Sequence, residues 1–277
     1  MTECGLTNLS TCMWEKLGEV LLTAVNAPLQ PLLDWIKSLL TAEVNPTLLL
    51  PVWSIIIYII SLFYGLFFLF AGFNFMISGY DSVKREHAKS WMRNIILMVL
   101  FVQSSYFLYS VILEVASSLT SGIIQLINPQ FFLLTADSIT SLSFQLVLMI
   151  PYVIVLVLTL IFLVLRYLLV YVGVIFFAIA MFFYFIPPLA SYGKMIVNVL
   201  LIIVFTNFVS ALILLTSSLL ISLPIFGNMK IVVMITSFVA INSLFVFLIL
   251  FGALKAIFGA LNSELGSNLK SAAKFLI

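Results

Sequence analysis

An all-α, polytopic membrane protein with about six transmembrane helices and an amphipathic N-terminal region is predicted by three observations. The first is composition: 64% of the 277 residues are hydrophobic and 8% are charged. Mean hydropathy is +1.29, whereas soluble domains carry roughly a quarter charged residues. The second is that apolar runs of membrane-spanning length recur along the chain, most of them separated by Pro, Asn or Gly. The third is the charged stretch Ser78–Arg93, SGYDSVKREHAKSWMR, which stands between two such runs as a cytoplasmic loop joining two spans should.

Composition also limits the chemistry. One His and two Cys leave little material for a metal site or a nucleophilic triad. No Walker loop, dinucleotide fingerprint, HExxH or GxSxG is present. No catalytic, cofactor-binding or metal-ligating residue is predicted. The opening MTECGLTNLS lacks a basic stretch and does not read as a signal peptide.

Residues 1–50 are predicted not to span. Trp14, Leu17, Leu21, Ala24 and Val25 share one helical face, with Glu15, Lys16, Glu19 and Thr23 turned away. After Pro28 and Pro31 the pattern restarts as Leu32, Leu33, Ile36, Leu39 and Leu40, opposite Asp34, Lys37 and Ser38. Two short amphipathic helices follow, lying on the membrane surface or packed on the protein's own loops. Cys4 and Cys12 are too few for a zinc site, and form a local disulfide if this end faces an oxidising exterior.

Asn45-Pro46 and Pro51 break the chain before span 1, about residues 52–78. Trp53 and Trp91 sit where interfacial belt residues belong. Asp81 or Ser82 caps a helix that runs on into span 2, about 94–116. Arg85, Lys89 and Arg93 recur every four residues and, with Lys84, make this helix basic on one side. That face either anchors the loop to lipid phosphates or docks an acidic cytoplasmic partner.

Span 2 carries the least expected pattern. Gln103, Tyr106, Ser110, Glu114, Ser117 and Ser121 follow steps of three and four residues. At about 100° per residue they fall within about 80° of arc. Such a polar stripe avoids lipid and meets either another helix or a hydrated conduit. Glu114 is expected toward the outer end of the span.

No Lys or Arg occurs between Arg93 and Arg166, so the region around Asn128-Pro129 and Asp137 is placed outside. Residues 142–186 are too long for one crossing and are divided into spans 142–164 and 167–186, with Arg166 at a cytoplasmic turn. The turn sequence LVLRYLL contains no Gly, Pro or Asn, and Pro151 is expected to kink the first of the pair. Pro187-Pro188 precedes span 195–221, and Pro224, Gly227, Asn228 and Lys230 form the turn before span 231–254. In that last span Thr236, Ala240 and Ser243 make a small-residue face suited to close packing. Residues 255–277 form a mildly basic amphipathic tail.

With six spans and the basic loop inside, both ends lie outside. Lys84, Arg85, Lys89, Arg93, Arg166 and Lys230 are then inside, against Lys16, Lys37, Lys194, Lys255, Lys270 and Lys274 outside. A five-span variant shifts the balance to eight against four, in better accord with the positive-inside rule.

Three passages resemble a known family. A two-Cys, Pro-broken N-terminus leads into PVWSIIIYIISLFYGLFFLFAGFNFMISGYDSVKREHAKSWMRN; Arg166-Tyr167 opens an apolar span closed by Pro187-Pro188; and Lys194 precedes the next span. This order is similar to the TrbL-like polytopic membrane subunit of type IV secretion and conjugation systems, in particular to archaeal CedA-like DNA-import proteins. The region between spans 2 and 3 is short, where many relatives carry a larger external domain. The resemblance implies a non-enzymatic channel or platform in the cell membrane. It implies a cytoplasmic secretion ATPase and a small membrane pilin as partners, with DNA only as transported substrate. A homo-oligomer in contact with membrane lipid is expected. The competing expectation is a stand-alone transporter or channel for a small solute, against which stand the few intramembrane charges and the lack of paired broken helices.

Overall fold

The computed structural model describes residues 9–80, 82–133, 139–187, 189–227, 229–248 and 250–251. Helices α1 (Leu9–Thr41), α2 (Leu50–Ile77), α3 (Ser82–Gln103), α4 (Ser105–Gln125), α5 (Ile139–Phe185) and α6 (Ala190–Ile221) follow in order. A single turn, α7 (Pro224–Gly227), precedes α8 (Lys230–Leu248). No strand occurs among the described residues. Among the described residues five segments are long and apolar enough to cross a membrane: Pro46–Ile77, Ser105–Gln125, Val147–Phe185, Ala190–Ile221 and Lys230–Leu248. The chain is an all-α, multi-pass membrane protein.

The outer face of α2 shows why lipid is its solvent. Leu62, Leu66, Leu69, Phe73 and Met76 repeat at helical spacing and are 62–78% exposed. In water a continuous apolar stripe of this kind would aggregate. Against hydrocarbon it costs nothing, because lipid tails are as apolar as leucine.

The chain forms two compact units. One comprises Met1–Glu43, Val115–Tyr167 and Phe205–Phe245. Its core gathers Leu29, Leu33, Ile36 and Leu40 of α1 with Phe131, Phe132, Tyr152, Leu156, Met234 and Phe238. The Tyr152 hydroxyl donates to the Phe132 carbonyl (3.3 Å), and the Lys37 ammonium lies 4.8 Å over the Phe132 ring. The apolar face of the second half of α1, from Leu29 to Leu40, thus packs on the protein itself.

The second unit comprises Val44–Glu114, Leu168–Val204 and Val246–Ile277. Here α2 and α3 form an antiparallel hairpin. Trp53 at the start of α2 donates from Nε1 to Ser105 Oγ (3.0 Å), while Phe70 meets Trp91 edge-on at 5.4 Å. Between these pairs Ile57, Ile60, Ala71, Ile95, Met98 and Val102 form a core with Ala178 and Ile186.

Two expectations are corrected. The N-terminal region is one helix rather than two, with Pro28 and Pro31 inside α1. Each proline removes an N–H and leaves the carbonyl one turn back without its donor. Ala24, Ala27, Pro28 and Pro31 are all exposed, so those carbonyls can be solvated and the helix survives.

The turn at Arg166 is also absent. Residues 142–164 and 167–186 belong to a single 47-residue helix, α5, because LVLRYLL offers no breaker to interrupt its hydrogen-bond ladder. Pro151 lies inside α5 on an exposed position. Cys4, Asp81, Asp137 and the 255–277 tail lie outside the described residues, as does the Cys12 side chain.

Near the start of α6, Gly193 is pressed onto the last turns of α5. A Cβ there would overlap the Tyr184 backbone nitrogen, stand 2.6 Å from its Cα and 2.7 Å from the Ala180 carbonyl oxygen. These are backbone atoms that cannot swing away. Gly193→Ala is expected to destabilise the protein by about 1–3 kcal/mol, the usual cost of overpacking. Thermal unfolding in detergent should show a lower midpoint for Gly193→Ala. Gly65→Ala, whose Cβ meets nothing within 4 Å, should leave the midpoint unchanged; equal midpoints for both would contradict the tight approach.

Candidate functional site

The polar stripe lies on α4 and the last residue of α3. One residue, Ser104, separates the two helices, yet its N–H bonds Leu100 O (3.0 Å) and the Leu108 N–H bonds Ser104 O (2.9 Å). The helical track therefore continues, and Gln103 keeps register with Tyr106, Ser110, Glu114, Ser117 and Ser121.

The packed face of this track is a different one. Val102, Ser105, Tyr109, Leu113, Ala116 and Thr120 are buried, each one residue before a member of the stripe. One residue is a rotation of about 100°. Phe107, Val111, Val115 and Leu119, at 39–68% exposed, form the lipid-facing side. The stripe occupies the flank between them: Gln103 and Glu114 are exposed, and Tyr106, Ser110, Ser117 and Ser121 are half-buried.

Polar contacts on the packed face hold the helix within the chain, and the stripe adds a ring contact of Tyr106 with Trp53 (centroids 5.6 Å). Ser105 accepts from Trp53, and the Tyr109 hydroxyl donates to Val170 O (2.8 Å). On the stripe, Ser110 Oγ donates to Tyr106 O (2.9 Å) and Ser121 Oγ to Ser118 O (3.1 Å). These serines satisfy themselves on their own helix. The Glu114 carboxylate has no such partner on its own helix; it lies within the membrane-length segment Ser105–Gln125, on the continuous helical track that begins with the basic residues of α3.

The basic residues Lys84, Arg85, Lys89 and Arg93 are all exposed on α3. Arg85, Lys89 and Arg93 turn away from the buried Ala88, Ile95 and Met98, whereas Lys84 lies on the Ala88 side and lines a separate groove with it and with Phe70 and Trp91. Lys89 and Arg93 line an open groove of about 750 Å³ with Ser82, Glu86, His87 and Ser90. The small-residue face of α8, Thr236, Ala240 and Ser243, is exposed rather than packed. Among the described residues no cluster of His, Cys, Asp and Glu could hold a metal ion.

Sequence reasoning missed the buried polar groups. Arg166 and Lys230, read as loop residues, are 6% and 8% exposed. Asn207 donates through Nδ2 to the Leu40 (3.0 Å) and Leu39 (3.4 Å) carbonyls, which belong to the last turn of α1. A side chain from α6 thereby closes the C-terminus of α1, where carbonyls lack helical donors. Asn242 likewise donates to Val155 O (3.2 Å). The Oδ1 atoms of Asn207 and Asn242 are buried with no hydrogen-bond partner among the described residues. The sequence signal was an amide inside an apolar span; its partner could not be read.

Compared with protein-family models, curated proteins and solved structures, the chain matches none.

Asn207→Leu would leave the two α1 carbonyls without their side-chain donor, at a cost of about 1–3 kcal/mol. Limited proteolysis in detergent should then cut faster just after α1, around residues 42–45, than in the parent protein. Unchanged cleavage would mean that the apolar face alone docks α1.

Proposed function

We propose that this protein is a non-enzymatic, oligomeric membrane subunit of a type IV secretion-like DNA-transfer machine, with the polar flank of α4 lining a hydrated seam between copies of the chain. One observation carries the oligomeric conduit: an exposed carboxylate, Glu114, within a membrane-length helical segment and off its packed face. A carboxylate left against hydrocarbon is costly, so this flank needs water or protein beside it. The DNA substrate, the cytoplasmic ATPase and the small pilin rest on the resemblance of the PVWSIIIY…SWMRN passage, Arg166-Tyr167 and Pro187-Pro188.

We assign the α3 end of the hairpin to the cytoplasm and the N-terminus to the exterior of the cell membrane. Five crossings support this orientation. They bring Lys84, Arg85, Lys89, Arg93, Lys194, Lys255, Lys270 and Lys274 to the inner side, and leave Lys16, Lys37 and Lys230 on the outer one. The excess of inner cations accords with the positive-inside rule. In a background with Cys4 and Cys12 replaced by Ser, an impermeant thiol reagent on sealed cells should label neither Ser82→Cys nor Ser267→Cys. Labelling at Ser82→Cys would reverse the orientation, and labelling at Ser267→Cys alone would restore an even number of crossings.

The conduit itself is tested in the native membrane. Ser110→Cys and Ser117→Cys should react with small water-soluble thiol reagents, and Val111→Cys, on the lipid-facing side, should not. Glu114→Leu should lower DNA transfer at least tenfold at normal protein levels, the measure of a lost interaction of about 1.4 kcal/mol or more. Glu114→Gln should retain most transfer, because its shape and hydrogen-bonding capacity survive. Equal labelling at the three sites, or full transfer by Glu114→Leu, would reduce the stripe to surface chemistry without a role in transport.

A further inference from the structure

The basic groove of α3 does not stand alone. A second open groove, of about 450 Å³, is lined by Phe75 of α2 and by Met92, Ile96 and Leu97 of α3, and it shares Lys89 and Arg93 with the first. The two therefore meet at a pair of cations. Their order along α3 is fixed: the charged groove covers Ser82 to Arg93, and the apolar one runs one turn further, toward Gln103. Along the same direction the hairpin core passes from Trp91 to Ile95, Met98 and Val102, so the apolar groove lies on the hydrocarbon side of the cations.

We propose that these grooves form a binding site for one anionic phospholipid, with the headgroup phosphate between Lys89 and Arg93 and an acyl chain along Phe75, Met92, Ile96 and Leu97. Charge complementarity identifies the headgroup. Lys89 and Arg93 are i,i+4 neighbours on one face, and Ser90 between them adds a hydroxyl donor. Glu86 is the one carboxylate among the described residues that line the groove; it does not line the apolar groove, and it disfavours an anion at the Ser82 end. The apolar groove separates a phospholipid from a soluble phosphate, which has nothing to place in it, and from an acidic protein loop, which would leave its own polar backbone against Phe75 and Ile96. Arg85 and Lys84 are also exposed, but neither lines this apolar groove; Lys84 lines a separate one with Phe70, Asn74, Ile77 and Trp91. The site is independent of the function proposed above.

The test uses the full-length protein in detergent, titrated with phosphatidylglycerol or with phosphatidylcholine of the same chains, and bound lipid is counted by native mass spectrometry. Phosphatidylglycerol should be retained in preference to phosphatidylcholine. Lys89→Gln with Arg93→Gln should weaken that retention on the order of tenfold, given the contribution expected of each basic residue near an anionic surface. Lys84→Gln with Arg85→Gln removes the same charge and should leave retention unchanged. Ile96→Trp, which fills the apolar groove, should also weaken it while the cations remain. All five substituted positions are exposed, so correct folding is checked by an unchanged elution profile. Equal losses for the two charge pairs would reduce the effect to general attraction between a basic loop and anionic lipid. Competition by inorganic phosphate or glycerol phosphate at the same concentration would show that no acyl chain is bound. Unchanged lipid retention in the Lys89, Arg93 pair, together with loss of a co-purifying acidic cytoplasmic protein, would replace the lipid by a protein partner. Each of these three results overturns the proposal.

Discussion

Inside a bilayer a backbone N–H or C=O has no water to turn to, so each helix must satisfy its own polar groups or borrow a side chain that does. Much of the architecture follows from that constraint. It keeps α5 helical through Arg166, since the ladder there has no reason to open. It lets Pro28 and Pro31 stand inside α1 only because the carbonyls they orphan are exposed. It turns the hydroxyls of Ser110, Thr159, Ser217 and Thr236 back onto carbonyls four residues earlier. Where a helix ends in a packed setting, as α1 does at Thr41, a buried amide from another helix completes it.

The sequence carried the parts of the fold that depend on local pattern. Apolar runs mark α2, α4, α6 and α8, and the spacing of Arg85, Lys89 and Arg93 predicts the exposed face on which the structure has them. The same periodicity found the α4 stripe. Other features depend on what comes near in space. Pro28 and Pro31 read as breaks because the sequence does not say that their neighbours face outward. Arg166 read as a loop residue because charge was given more weight than the absence of any breaker in LVLRYLL, and the absence was the better signal. Ser105, Asn207 and Asn242 looked like scattered polar residues. Their partners, Trp53, the end of α1 and Val155, lie 52, 167 and 87 residues away.

The polar flank of α4 shows how fine the distinction is between packing and function. Shifting every member of the stripe by one position gives the buried face, with the same steps and with its own Ser, Tyr and Thr. A periodicity argument alone cannot choose between two such sets, since both satisfy it. Burial chooses: Ser105, Tyr109 and Thr120 are 0–1% exposed and hold the helix in place. Of the neighbouring set Tyr106 still packs on Trp53, with ring centroids 5.6 Å apart, whereas Gln103 and Glu114 are left exposed by internal packing. In a lipid setting a leftover polar surface calls for an explanation that a leftover leucine does not.

Several of the membrane-length segments are longer than a bilayer requires. Pro46–Ile77 and Ala190–Ile221 have 32 residues each and Val147–Phe185 has 39, against about 20 for an upright crossing of a hydrocarbon core about 30 Å thick. Such segments must lean, stand proud of the membrane, or draw thicker lipid around themselves, and each response costs a fraction of a kcal/mol per Å of mismatch. Bilayer thickness thereby becomes a variable that acts on this protein. A thin membrane favours greater lean and a thick one a more upright helix, so lipid chain length alone can bias the angle at which α5 and α6 stand, without any ligand.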